Sequence, residues 1–330
     1  MSDKPKIAMY WASSCGGCEI ALVNLHEKIL DVDAAFNLFF CPCLVDTKTK
    51  DIEALADGEL AITFFNGAIR TDENLEMARL LRKKSQILIA FGSCAVEGCI
   101  PALGNLVPAA KYFDPIYRDN LTTANPDNII PLNKSEIAEG SLGIPLFLKK
   151  VRTLGQVTEV DYFLPGCPPE PHRIWQAVAA LIAPDGPPPK GSVVGVGPST
   201  VCAECRRERT DKKIRRFFRT YEIIPNQTEC LLDQGILCMG IATREGCGGL
   251  CPEVNMPCTG CYGPPAGRLD QGARMTAAIG SILDLGEVKG LGEKELHGRI
   301  DQALGAIPDY AGTFYKYSLA GSILGGREKL

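Results

Sequence analysis

The chain has 330 residues, 45% of them apolar and 22% charged, with a net charge of −4. That is the composition of a globular protein with room for one large domain or two smaller ones. Without a chain-wide excess of Lys and Arg it is not expected to be a general nucleic-acid binder. With no window near the roughly 20 apolar residues that span a bilayer, membrane association would have to come through a partner. The opening MSDKPKIAMYW shows neither a secretory pattern nor a twin-arginine pair, so a cytoplasmic protein is expected. Fifteen cysteines in a reducing compartment then point to metal and not to a disulfide framework.

In chain order, KIAMYWA (6–12) predicts a strand, residues 19–30 a helix, and FNLFF (36–40) and LAITFFNGA (60–68) two further strands. ENLEMARLLRKK within 72–84 puts Leu75, Ala78 and Leu81 on one helical face. QILIAFGS (86–93), VDYFLPG (160–166) and a helix over 172–183 complete the pattern. Buried apolar strands alternating with helices predict an α/β domain over 1–183, an open, doubly wound parallel sheet. Residues 184–200, PDGPPPKGSVVGVGPST, concentrate Pro and Gly and read as a linker. The remainder, 201–330, reads as a smaller irregular domain. Eight of the fifteen cysteines lie in 202–261 with little periodicity, and such a segment is expected to be organised by metal more than by an apolar core.

Cys15 and Cys18 in YWASSCGGCEIALVNL, Cys94 in FGSCAVEG and Cys167 in LPGCPPEP each close a predicted strand. The carboxyl ends of parallel strands converge on one edge, so four thiols distant in sequence can meet there. Gly16, Gly17, Gly92 and Gly166 permit the close approach, and Pro168 and Pro169 stiffen the last loop. Four thiolates suit a 4Fe-4S cluster; they would also suit structural zinc, and the CxxC alone would suit a redox dithiol. In the second half the spacings are Cys202-x2-Cys205-x24-Cys230-x7-Cys238 and Cys247-x3-Cys251-x6-Cys258-x2-Cys261. These are two further sets of four. The ferredoxin run C-x2-C-x2-C-x3-C-P is absent, and a pair of zinc sites stays open at this point.

CGGCE, GSCA, PGCPP, the CAEC pair and NMPCTGCYGP, in this order, resemble the small, electron-transferring subunit of NiFe hydrogenases. The likeness is strongest to the cytoplasmic, methyl-viologen-reducing type that does not reduce the deazaflavin coenzyme, and it spans about residues 6 to 265. The resemblance implies a flavodoxin-like domain and three 4Fe-4S clusters. The proximal cluster would sit on Cys15, Cys18, Cys94 and Cys167, the medial on Cys247, Cys251, Cys258 and Cys261, and the distal on Cys202, Cys205, Cys230 and Cys238. It also implies a large subunit that carries the hydrogen-activating NiFe site, so this chain would hold no catalytic residue. The expected route runs on through a small iron-sulfur acceptor subunit toward heterodisulfide reductase, in an anaerobic, methanogenic setting. A deazaflavin-reducing hydrogenase or a sulfhydrogenase would share the clusters and differ in partner. Periplasmic relatives have histidine as the first distal ligand and only three medial cysteines; here every ligand position is cysteine, which favours lower potentials.

Cys41 and Cys43 in FFCPCLVD, and Cys99 where the family commonly has glycine, are expected to be packing residues. Glu19, next to Cys18, is placed to shuttle a proton or form an interface salt bridge, although an acidic residue in a first helical turn needs no further reason. His26, His172 and His297 form no metal-ligand pair. RRERTDKKIRRFFR (206–219), with eight basic and two acidic residues, reads as a solvated helix face, as an offset to the negative charge of cysteine-ligated clusters, or, as its place beside Cys205 favours, as a face whose Arg206, Arg207, Lys212 and Arg215 dock an acceptor. Two rivals from other classes are a zinc-organised scaffold and an independent flavin or thiol oxidoreductase.

Overall fold

A computed structural model describes residues 4–210, 212–267, 270–307 and 309–326. The strands are β1 (Lys6–Trp11), β2 (Asn37–Phe40), β3 (Leu60–Asn66), β4 (Ile69–Thr71), β5 (Ser85–Phe91), β6 (Lys134–Ile137), β7 (Gly140–Gly143), β8 (Phe147–Arg152), β9 (Tyr162–Leu164) and β10 (Ser192–Val193). Six of them form one parallel sheet in the order β10-β9-β5-β3-β1-β2. After β1 the chain goes outward to β2 and then returns to β3 on the other side. That reversal is the flavodoxin-like topology, in which the crevice at the carboxyl ends of β1 and β3 is where ligands bind.

Alternation along the strands builds two apolar cores, one on each face of the sheet. Ile7, Met9, Ile62, Phe64, Ile89 and Phe91 enter one, while Ala8, Tyr10, Phe65, Leu88 and Ala90 enter the other. The first is covered by α1 (Gly17–Val23) and, from the far end of the domain, by Ile174, Ala177 and Val178. The segment expected as one helix over 19–30 breaks, because His26 adopts a positive φ of 54°. A short 3-10 turn (His26–Lys28) leads from it into α2 (Ile29–Ala35). The second face is covered by α3 (Thr49–Glu53) and α4 (Asp72–Lys84), which contributes Met77, Ala78 and Leu81. Thr71 caps α4 by accepting from the Asn74 amide at 3.2 Å, and Arg82, Lys83 and Lys84 fill its last turn, so both ends suit the helix dipole. After β5 comes α5 (Gly92–Glu97), and after β9 comes α6 (Pro171–Leu181), which carries the Ile174 set. Between them β4 pairs antiparallel with β8, and β6 with β7 as an exposed hairpin.

The second half departs from expectation in three ways. Within the Pro/Gly-rich stretch 184–200, β10 adds an edge strand to the main sheet. The basic stretch 206–219 is not a helix: its amides bond far along the chain, Glu208 to Thr228 O, Ile214 to Ile282 O and Phe217 to Ala303 O, each within 2.9 Å. Amides spent on such bridges cannot make the local bonds of a helix. Finally, the cysteine-rich region does have an apolar core. It is built on Ile214, Phe217, Leu231 and Ile236 with Met275 and Ile279, and with Ile307 and Phe314. Short helices α7 (Val201–Glu204) and α8 (Leu250–Glu253) carry cysteines, and the core is completed by α9 (Gln271–Ile282), α10 (Glu293–Leu304) and α11 (Tyr310–Phe314). The chain then returns to the first domain, where Leu319 and Ala320 pack with Cys94 and Cys99.

Candidate metal centres and the electron path

Cys15 lies in the loop after β1 and Cys18 in the first turn of α1; Cys94 lies in α5 directly after β5, and Cys167 in the loop between β9 and α6. All four therefore gather at the carboxyl edge of the sheet. Cys15, Cys94 and Cys167 line a cavity of about 580 Å³, together with Ser13, Ser14, Arg70 and Cys99. Cys18 is buried just behind them: burial pushes its thiol well up, and the charges of Cys94, Glu19, Cys167 and Cys15 add to that. Gly92, at φ 80°, lets the loops close, since a Cβ there would strike the Cys18 sulfur. Ser93 fixes the third loop, its amide donating to Gly166 O at 2.8 Å and its hydroxyl accepting from Gly166 N at 3.0 Å.

Two features of this edge were hidden in the sequence. Cys99 is fully buried and its thiol lies 3.7 Å from the Cys167 sulfur. Hydrogen bonds to Cys167 and Cys94, followed by burial, hold the proton on Cys99, and that donated bond lowers Cys167 to about 7 against its own burial. Cys99 is thus a donor to the group and more than filler. Its φ of +48° explains why glycine is expected at this position. Glu19 is also buried. Both of its carboxylate oxygens accept from Asn66 Nδ2, at 2.6 and 2.8 Å, and the same amide reaches Ser14 Oγ at 2.9 Å. His172 is exposed.

The eight later cysteines fall into two neighbouring groups. Burial raises Cys202 to about 12, with Cys238, Cys230 and Cys205 among the charges acting on it, and Cys238 in turn feels Cys230 and Cys205. Cys202, Cys230 and Cys238 share a cavity of about 410 Å³ with Arg209, Lys212 and Lys213. In the other group, burial raises Cys261 to about 12, and Cys247 and Cys251 act on it; Cys258, also raised by burial, feels Cys238 of the first group and then Cys261. Cys251 is exposed. The left-handed Gly248 and Gly249, both at φ 70°, turn the chain between Cys247 and Cys251.

Direct contacts join the three groups in a row. The Ser93 hydroxyl donates to Cys261 O at 2.5 Å, and the backbone of Cys167 hydrogen-bonds the Cys261 thiol. On the other side the Cys258 amide donates to Cys238 Sγ at 3.3 Å, while a Cβ on Gly240 would lie 3.3 Å from the Cys202 sulfur. The group of Cys247, Cys251, Cys258 and Cys261 is therefore the middle one. Among the described residues no three His, Cys, Asp or Glu side chains converge closely enough for a single metal ion. Tetrahedral zinc needs four sulfurs about 2.3 Å from one point. A multi-iron cluster differs in that each thiolate binds its own iron.

Residues 15–181 match the family described as "NADH ubiquinone oxidoreductase, 20 Kd subunit", which sets the chain among subunits of redox enzymes. The chain is 36% identical to the iron-sulfur subunit of the F420-non-reducing hydrogenase of Archaeoglobus profundus, over 97% of each chain. It is 35% identical to the corresponding F420-non-reducing hydrogenase subunit of Methanothermobacter marburgensis, over 98% of this chain and 97% of that one. A similar solved structure is the [NiFeSe]-hydrogenase of Dm. baculatum, at 18% identity and a TM-score of 0.48, covering 80% of this chain and 95% of that one. The chain belongs to the small-subunit family of NiFe hydrogenases, of the F420-non-reducing type. It is thus a subunit of an oxidoreductase that pairs with a large subunit, in a family whose small subunits bind iron-sulfur clusters. No helix among the described residues is long and apolar enough to cross a membrane.

Proposed function

We propose that this subunit conducts electrons from a hydrogen-oxidising large subunit to an iron-sulfur acceptor subunit and on toward heterodisulfide reductase, in the cytoplasm. Three 4Fe-4S clusters, when bound, supply the one-electron carriers. Cys15, Cys18, Cys94 and Cys167 hold the proximal one, Cys247, Cys251, Cys258 and Cys261 the medial one, and Cys202, Cys205, Cys230 and Cys238 the distal one. The observation that carries this reading is the pair of backbone-to-sulfur contacts, Cys167 with Cys261 and Cys258 with Cys238, which supports a path through the three groups in that order.

The chain's own residues do the positioning. Cys99 and the backbone amides donate to ligand sulfurs, which stabilises thiolates in a buried setting. Exposed apolar side chains near Cys15, among them Trp11, Ile20 and Ile100, give the large subunit a surface to cover. The large subunit then shields the proximal group from water. At the other end Arg209 and Lys213 line the Cys202 cavity and favour an acidic acceptor.

Anaerobically purified protein should contain about twelve irons and twelve sulfides per chain. Stoichiometric zinc in their place, with no visible absorption, would overturn the proposal.

A further inference from the structure

Cys41 and Cys43 belong to none of the three groups, yet their sulfurs lie 3.4 Å apart. They follow β2, the outermost strand on its side of the sheet. Cys41 is 1% exposed, within the apolar cluster that also contains Cys18 and Leu25, whereas Cys43 is exposed. Packing accounts for the first thiol only, because an exposed sulfur gains nothing from burial.

The backbone brings the two sulfurs together. The amides of Leu44 and Val45 both donate to Cys41 O at 3.0 Å, so the chain turns through Cys41-Pro42-Cys43-Leu44 with proline in its preferred second position. Residues two apart span at most about 7 Å when extended, and a turn brings them well within the reach of a disulfide. A shared metal ion is the other use for paired thiols, but among the described residues no third donor joins them. In the reducing cytoplasm proposed above, on which this step rests, paired thiols support transient disulfide exchange.

We propose that Cys41 and Cys43 form a two-electron dithiol site that is oxidised by small organic disulfides and is separate from the iron-sulfur path. Cys43, the exposed sulfur, attacks the disulfide; a mixed disulfide forms and the first thiolate leaves, taking up the proton that Cys43 loses. Cys41 then attacks the Cys43 sulfur, the protein disulfide forms, and the second thiolate leaves with the proton from Cys41. The two protein thiols are oxidised by two electrons, and one small disulfide is reduced to two thiols. A small dithiol reverses the reaction. The site depends on no cluster, so its failure would leave the electron-path reading untouched.

Trypsin isolates the pair cleanly, since the peptide 29–48 contains Cys41 and Cys43 and no other cysteine. The test treats the anaerobic hydrogenase complex with bis(2-hydroxyethyl) disulfide, quenches it in acid, alkylates it unfolded with N-ethylmaleimide, and weighs this peptide. Iron content is measured before and after. The wild-type peptide should lose two hydrogens, resist alkylation, and return to two alkylatable thiols after dithiothreitol, with iron unchanged. Cys41→Ser should stop at a single 2-hydroxyethylthio mixed disulfide on Cys43, and Cys43→Ser should take up neither adduct nor bridge. A wild-type peptide that is alkylated twice, or that keeps an open adduct as readily as Cys41→Ser, would overturn the proposal.

Discussion

At the residue scale the proximal group is governed by small groups around the thiols. Gly92 faces the Cys18 sulfur at a left-handed φ of 80°, so Gly92→Ala meets both backbone strain and a collision. Iron should fall from about twelve to about eight per chain, while the circular dichroism of the sheet is retained. A full iron complement in this variant would mean that the loops need not approach so closely. Cys99 acts by donation. A hydrogen bond to a ligand sulfur stabilises the more negative, reduced cluster, so losing the donor lowers the potential. Cys99→Ala should therefore shift the proximal midpoint downward, by on the order of 40 mV for a net bond of about 1 kcal/mol. A redox titration followed by electron paramagnetic resonance reads that shift directly, and an unchanged midpoint would reduce Cys99 to packing.

At the element scale, the basic stretch 206–219 divides by burial, not by charge. Arg207 is buried and its guanidinium donates to Pro252 O at 2.8 Å, to Asn226 O at 2.7 Å and Glu229 O at 2.9 Å, and to Asn255 Oδ1. It ties residues 226–229 to residues 252–255 and is enclosed there, away from any docking surface. Arg206, Lys212 and Arg215 are exposed but paired, with Glu253, Glu229 and Asp284. Arg209 and Lys213 are exposed and line the Cys202 cavity. Reversing Arg209 and Lys213 to Glu should slow electron delivery to the protein acceptor roughly fivefold, with little effect on a small dye, and added salt should narrow the gap. Equal slowing of both acceptors would show that the change had disturbed the cluster itself.

At the scale of the whole molecule, one carboxylate clasps the sheet. Asp161 is buried before β9; it accepts from Arg82 of α4 at 2.5 Å and from the Leu88 amide of β5 at 2.8 Å, and pairs with Lys190 before β10 at 2.7 Å. Burial alone would raise its carboxyl, but the bonds from Arg82, Lys190 and Leu88 outweigh it and hold the group below its ordinary value. A depressed carboxylate contributes stability that is fully present above its unfolded value of about 4 and is lost as pH falls through the lower, folded value. Asp161→Asn should cost about 2 kcal/mol at neutral pH, and the deficit relative to wild type should shrink as the medium is acidified below pH 4. Thermal unfolding across that range checks both magnitude and sign. A deficit independent of pH would mean that shape and not charge matters at this position.

The sequence by itself determined the local features: five of the six strands of the main sheet, the helix over 72–84, and a helix expected over 172–183 that runs over 171–181. Apolar periodicity and Cys spacing are properties of short windows, and short windows are legible. What only the tertiary structure decided depends on chain segments that meet from far apart. The basic stretch is irregular because its amides bond to residues 282 and 303. The cysteine-rich region has a real core because Met275, Ile279, Ile307 and Phe314, from the motif-free residues beyond 270, close over it. Cys99 is a donor because residues 94, 99 and 167 converge, and Arg207 is a strut because four separate acceptors close around it. A thiol or a guanidinium looks the same in the sequence whether it is solvated or enclosed. Only the neighbours that folding brings to it, and the water they remove, set what it does.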